Sequence, residues 1–189
     1  MSKHDTVEHI QEAFNADFVR LVQSLIAIKG DKTMSARIRK WAVLYVANSF
    51  LEGLPILNAD PDLLAPINAI INDLAGPQKK GGRDRAFDML VHEARATVEI
   101  LRKEGWTARS TYDYIADIMT KTGRPVTPAT VKDWMVGART DDEFAKVKIV
   151  TDYITNVWTP SIVRDDLTMT ERARMHFEFR ARRWAKFED

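Results

Sequence analysis

The sequence contains no cysteine, which excludes disulfides, thiolate zinc sites and thiol nucleophiles together and fits a reducing compartment. It contains no run of 18 apolar residues, so no membrane-spanning helix is expected. The opening MSKHDTVEHIQEAF sets Asp5, Glu8 and Glu12 among its apolar residues, and no secretory signal is readable there. Nowhere do apolar and polar residues alternate long enough for a convincing strand, and no repeat or low-complexity tract occurs. A soluble, cytoplasmic protein is expected. Charge of one sign is scarce as well: 28 Lys and Arg stand against 27 Asp and Glu, for a net +1. That balance does not by itself mark a nucleic-acid binder.

The chain has enough apolar residues to fold. With 45% hydrophobic and 29% charged residues over 189 positions, it can bury a core and keep a solvated surface. The apolar positions recur at helical steps. Val7, Ile10, Phe14, Phe18, Leu21, Leu25 and Ile28 mark one core-facing helix closed by Gly30. Ile38, Trp41, Ala42, Tyr45 and Val46 mark a second, from Ser35 to Gly53. A short helix is expected across Leu63 to Leu74, stopped by Gly76-Pro77. Another runs from about Ala86 to Lys103 with Gly105 as its end. The fold class is therefore all-α: a multi-helix bundle with a helical region over 1–76, a basic loop and paired helices over 77–139, and a C-terminal helical extension over 140–189.

The charges are unevenly placed. Residues 1–76 hold 7 cations and 9 acids, 77–139 hold 12 and 8, and 140–189 hold 9 and 10. The positive excess coincides with the segment TGRPVTPATVKDW, residues 122–134. Before it, Tyr114, Ile115, Ile118 and Met119 give the apolar face of a helix for which Ser110 or Thr111 offers a cap. Gly123 can take the left-handed conformation that ends that helix, and Pro125 prevents its continuation. Thr127 has the chemistry of an N-cap and Pro128 that of a first helical residue. Val131, Trp134 and Met135 would then be buried, leaving Ala129, Lys132 and Asp133 outside.

This order resembles the helix-turn-helix of DNA-binding proteins, in a long-turn variant. Ile115-Ala116 stands at the helix contact, Gly123 at the turn and Thr130-Val131-Lys132-Asp133-Trp134 in the recognition helix. Ala116 lies fifteen residues before Val131, a wider spacing than the tightest form of the motif. The run from Leu63 to Arg139 is also similar to uncharacterised bacterial proteins associated with phages and mobile elements. The resemblance implies binding of double-stranded DNA by helix 127–138, in transcriptional or mobile-element regulation, as a homodimer on paired half-sites. Under it, Thr127 and Thr130 meet phosphates, Ala129 a thymine methyl, Asp133 a cytosine amine, and Lys132 a guanine or phosphate. Lys121, Arg124 and Arg139 supply flanking charge, and the glycine-rich loop with Lys79, Lys80 and Arg83 a backbone clamp. The competing reading is a helical module that binds or sequesters a partner protein.

After Arg139, Thr140-Asp-Asp-Glu143 has the form of a capping box ahead of a helix through Phe144, Val147, Val150, Ile154 and Val157. A final helix from about Thr170 sets Ala173, Phe177, Ala181, Trp184 and Phe187 on one side and its arginines mostly on others. Packing of that aromatic side, on the core or on a second subunit, is preferred to DNA contact by the arginines. No catalytic group, metal or cofactor is expected. Gly76 to Gly81 lacks the Lys-Ser/Thr of a phosphate loop, and His92-Glu93 lacks a second histidine four positions after the first. Asp141-Asp142 and Asp165-Asp166 read as helix starts.

Overall fold

The computed structural model describes residues 3–53, 85–136, 140–158 and 167–185. Among these it is all-helical, with no strand. The chain forms two compact units, Met1–Pro77 with Asn156–Asp165, and Gln78–Thr155 with Asp166–Asp189.

In the first unit, α1 (Lys3–Gly30) and α2 (Ala36–Gly53) form a helical hairpin. Its turn is chemically closed. The Asp31 carboxylate accepts from the Thr33 amide at 2.8 Å, and the Arg39 guanidinium donates to the Asp31 and Met34 carbonyls at 2.8 and 3.2 Å. Ser35 then caps α2 by accepting from the Ile38 amide at 3.2 Å, which satisfies an otherwise orphaned first-turn donor. Leu21 and Ile28 of α1 are buried, as are Ile38, Ala42, Tyr45 and Val46 of α2. Phe18, which the spacing sets on the same face as Leu21, is instead 49% exposed. It lies at the edge of a buried arc centred on positions 21 and 28, and that arc is narrower than the apolar pattern.

The second unit is built around α3 (Arg85–Lys103), followed by α4 (Ala108–Lys121), α5 (Pro128–Val136), α6 (Asp141–Asn156) and α7 (Met169–Ala185). From Leu90 to Leu101, α3 is buried almost all round, the mark of a central rather than a surface helix. It carries polar residues into the interior, and Glu93 and Arg95 find hydrogen-bond or ion-pair partners there, while the Thr97 hydroxyl makes no hydrogen bond. Glu93 and His176 are fully buried; the His176 Nε2–H donates to Glu93 Oε2 at 2.6 Å, and Arg180 Nε lies 3.1 Å from Glu93 Oε1. These contacts join α3 to α7, and the Tyr153 ring of α6 meets His176 edge-on at 5.9 Å. Arg180 therefore departs from the expectation that the arginines of α7 lie on solvated faces, while Ala173, Phe177 and Ala181 of the expected packing side are buried and the side chains of Trp184 and Phe187 lie outside the described residues. A full capping box opens α7: the Thr168 amide donates to Glu171 Oε2 at 2.9 Å and the Glu171 amide to Thr168 Oγ1 at 3.2 Å.

His92 supplies a pH dependence. Its Nδ1–H donates to the Asp88 carbonyl at 2.6 Å. Burial pushes the imidazole below its usual value near 6.5, and the charges of Lys146 and Arg95 push the same way, against the Asp88 bond and carboxylate. The unfolded chain therefore binds this proton more readily. The contribution is complete above about pH 6.5 and is lost as the pH falls toward and through the lowered folded value. Thermal melts of the second unit should drop in midpoint between about pH 7 and 5, and His92→Gln should flatten that slope. Parallel profiles for the two proteins would refute the assignment.

Candidate nucleic-acid interface

The candidate interface is built from α4, the turn over residues 122–127, and α5. Helix α4 begins earlier than the sequence suggests, because Thr107 rather than Ser110 or Thr111 is its cap: Thr107 Oγ1 accepts from the Ser110 amide at 3.1 Å. The Thr111 hydroxyl donates to the Ala108 carbonyl at 2.8 Å within the first turn. Gly105, at φ +92°, has already ended α3 two residues upstream, which leaves Thr107 as the first hydroxyl able to reach a free amide. The other end of α4 closes as expected. Gly123 has φ +88°, its amide bonds the Thr120 carbonyl at 3.1 Å, and the Arg124 amide bonds Met119 O at 3.0 Å. This paired closure needs a left-handed residue, which glycine adopts without a Cβ penalty.

Thr127 and Pro128 start α5. Thr127 Oγ1 accepts from the Thr130 amide at 3.1 Å, and the Val131 amide bonds the Thr127 carbonyl at 3.1 Å. Pro128 has no N–H, so the Ala129 amide is the first-turn donor left outside the helix's own bonds. The two threonine hydroxyls lie 3.0 Å apart. One donates to the other, which leaves one hydroxyl proton between them for an outside acceptor such as a phosphate.

The inner face of α5 is Val131 and Trp134, both buried against α3 and α4 with Leu90, Ala94, Ile115 and Met119. Phe87 meets the Trp134 ring edge-on at 5.7 Å. Ala129, Lys132 and Asp133 are exposed on the outer face, Thr130 is half-buried, and Val136 is exposed at the end. Lys121 is the exposed last residue of α4, and Arg124 is half-buried in the turn that follows it. The Lys121 ammonium lies 2.6 Å from Asp117 on α4, a well-exposed pair of small energetic consequence. Lys79, Lys80, Arg83 and Arg139 lie outside the described residues.

Two anchors that the sequence does not announce hold this arrangement. Arg95, buried on α3, donates from Nε to the Trp134 carbonyl at 2.8 Å, while its Nη1 lies 4.0 Å from Glu143 of α6. A cation is thus placed on a carbonyl of the last turn of α5, where the helix dipole is negative. On the other side, the Tyr114 hydroxyl of α4 shares its proton between the Arg174 carbonyl at 3.1 Å and Glu178 Oε1 at 3.2 Å on α7. Burial first, and the Glu178 charge second, raise this phenol well above its usual value. The Arg174 guanidinium also lies 5.2 Å from the Tyr114 ring centroid and 5.9 Å from that of Trp106.

Among the described residues, no three His, Asp or Glu side chains come together in a group able to hold a metal ion, and no helix is long and apolar enough to cross a membrane. No known protein family, curated protein or solved structure matches the chain.

Proposed function

We propose that this protein binds duplex DNA through α5, with α4 behind it, and serves as a regulator of transcription or of a mobile element. The observation that carries the proposal is the two-faced construction of α5. One side is locked by Val131, Trp134 and the bond from Arg95, and the other offers Ala129, Lys132 and Asp133 to solvent. A short helix fixed at both ends with a polar outer face suits insertion into a major groove. The Ala129 amide and the remaining Thr127–Thr130 hydroxyl proton suit a phosphate at its N-terminus. Lys132 can meet a guanine edge or a phosphate, Asp133 can accept from cytosine, and Lys121 at the end of α4 and Arg124 in the turn can add phosphate contacts.

Binding to a random duplex, followed from about 50 to 200 mM salt, should show a steep negative log–log slope. Lys132→Ala should shallow that slope by about 0.9 if it meets one phosphate. If it reads a base, the loss should instead fall on one sequence position. Absence of association at low salt would refute the proposal.

A second reading, a helical module that binds or sequesters a partner protein, draws on the exposed Val136 at the end of α5 and on Asp117 and Asp133, which temper the cations. That reading predicts no salt-dependent binding to any duplex.

A further inference from the structure

The long N-terminal helix carries a second apolar stripe beside its buried one: Phe18 borders the buried arc, and Val22, Ile26 and Val19 lie progressively farther round the helix. Leu21 and Ile28 are buried, on a helix that packs against α2. Phe18, Val19, Val22 and Ile26 are 49, 52, 37 and 64% exposed. A surface helix of a self-sufficient domain needs only one such stripe. The second is contiguous, and Val19, Val22 and Ile26 follow one another at steps of three and four, the spacing of a helix–helix seam built from β-branched residues.

We infer that this stripe is a self-association surface, and that a second copy of the chain docks on it through α1 in antiparallel orientation. Three features favour a second copy. Between Asn15 and Ala27, none of the described residues that is exposed carries a charge. Among these described residues an identical face brings no like-charge repulsion, which a symmetric interface must avoid. A two-fold axis at Val22 sets Val22 on its counterpart, Phe18 on Ile26, and Asn15 on Lys29, so that each half completes the other. A parallel pairing would place the exposed Lys29 against itself. The size is also sufficient. The four side chains leave on the order of 350 Å² of apolar surface per copy, and with Ala16, Gln23 and Ala27 at the flanks a pair reaches the roughly 1,000 Å² of a specific interface.

The inference stands apart from DNA binding, and sedimentation equilibrium without DNA tests it. At tens of micromolar, the wild-type chain should sediment at twice its 21.6 kDa. Ile26→Glu, and separately Val19→Glu, should return it to the single-chain mass with an unchanged helical circular dichroism spectrum. Because the chain has no cysteine, Val22→Cys should give a disulfide-linked dimer on mild oxidation, and Lys29→Cys should not. A single-chain mass for the wild type, or a dimer that survives both glutamates, would overturn the inference. Equal cross-linking through Lys29→Cys would overturn the antiparallel arrangement. Since no DNA is present, either failure leaves the assignment of α5 untouched, and a failure to bind DNA leaves the dimer untouched.

Discussion

Glu93→Ala is expected to lower the stability of the second unit by about 3–5 kcal/mol, the typical cost of removing one partner from a buried charge pair. The change leaves His176 and Arg180 facing an empty space inside the protein, where the carboxylate now sits 2.6 Å from one and 3.1 Å from the other. The guanidinium then loses the carboxylate that offsets part of its desolvation, and the lost methylene and carboxylate volume adds a cavity term. For a unit of this size the unfolding midpoint should fall by more than about 10 °C. Replacing all three by apolar residues of similar volume, as in Glu93→Leu with His176→Phe and Arg180→Met, should recover most of the loss. A buried pair is stabilising relative to its broken form far more than relative to a packed apolar substitute. A Glu93→Ala loss below about 1 kcal/mol would show that the α3–α7 contact does not depend on this network.

Arg95→Ala should weaken DNA binding without removing any DNA contact. The side chain is buried, and its role toward α5 is the bond to the Trp134 carbonyl together with packing of its stem. A hydrogen bond from a charged group contributes about 1.5–3 kcal/mol, so the variant should melt earlier and bind about tenfold less tightly or worse. Its salt slope should remain that of the wild type, because the number of phosphates neutralised does not change. Lys132→Ala should do the reverse and alter the slope. Arg95→Lys is not expected to rescue, since an ammonium lacks the planar fork that reaches a carbonyl and the Glu143 side together. A reduced slope for Arg95→Ala would mean that this arginine itself meets the backbone.

Local chemistry was readable from the sequence; distant chemistry was not. Ser35, Gly105, Gly123, Thr127 and Pro128 mark helix ends through residues a few positions away, and each sits where its side chain or conformational freedom predicts. Val131 and Trp134 inside and Ala129, Lys132 and Asp133 outside follow from the same short-range logic, while Met135, expected inside, is only half-buried at the edge of the one apolar face a nine-residue helix has room for. The cap of α4 was misplaced because Thr107, Ser110 and Thr111 offer three hydroxyls within one turn, and the residue nearest the preceding glycine takes the role. Phe18 was misplaced because periodicity gives the direction of a face and not its width.

The anchors were out of reach for a different reason. Arg95 meets a carbonyl 39 positions away, and Glu93 meets His176 across 83; no local pattern encodes either pairing. Arg180 left a usable trace. It follows His176 by four positions and Phe177 by three, which sets it beside the apolar stripe of α7 and not among the solvated arginines.

DNA is expected to lie on the outer face of α5. Amide chemical-shift mapping on the isotopically labelled protein, titrated with a short duplex at low salt, tests it directly. The largest perturbations should cluster from Lys121 to Asp133, centred on the Ala129 and Thr130 amides, with Leu21 and Ile28 of α1 unmoved. A spectrum that stays unchanged at saturating duplex, or one whose changes fall on α1 and spare residues 127–133, would contradict it.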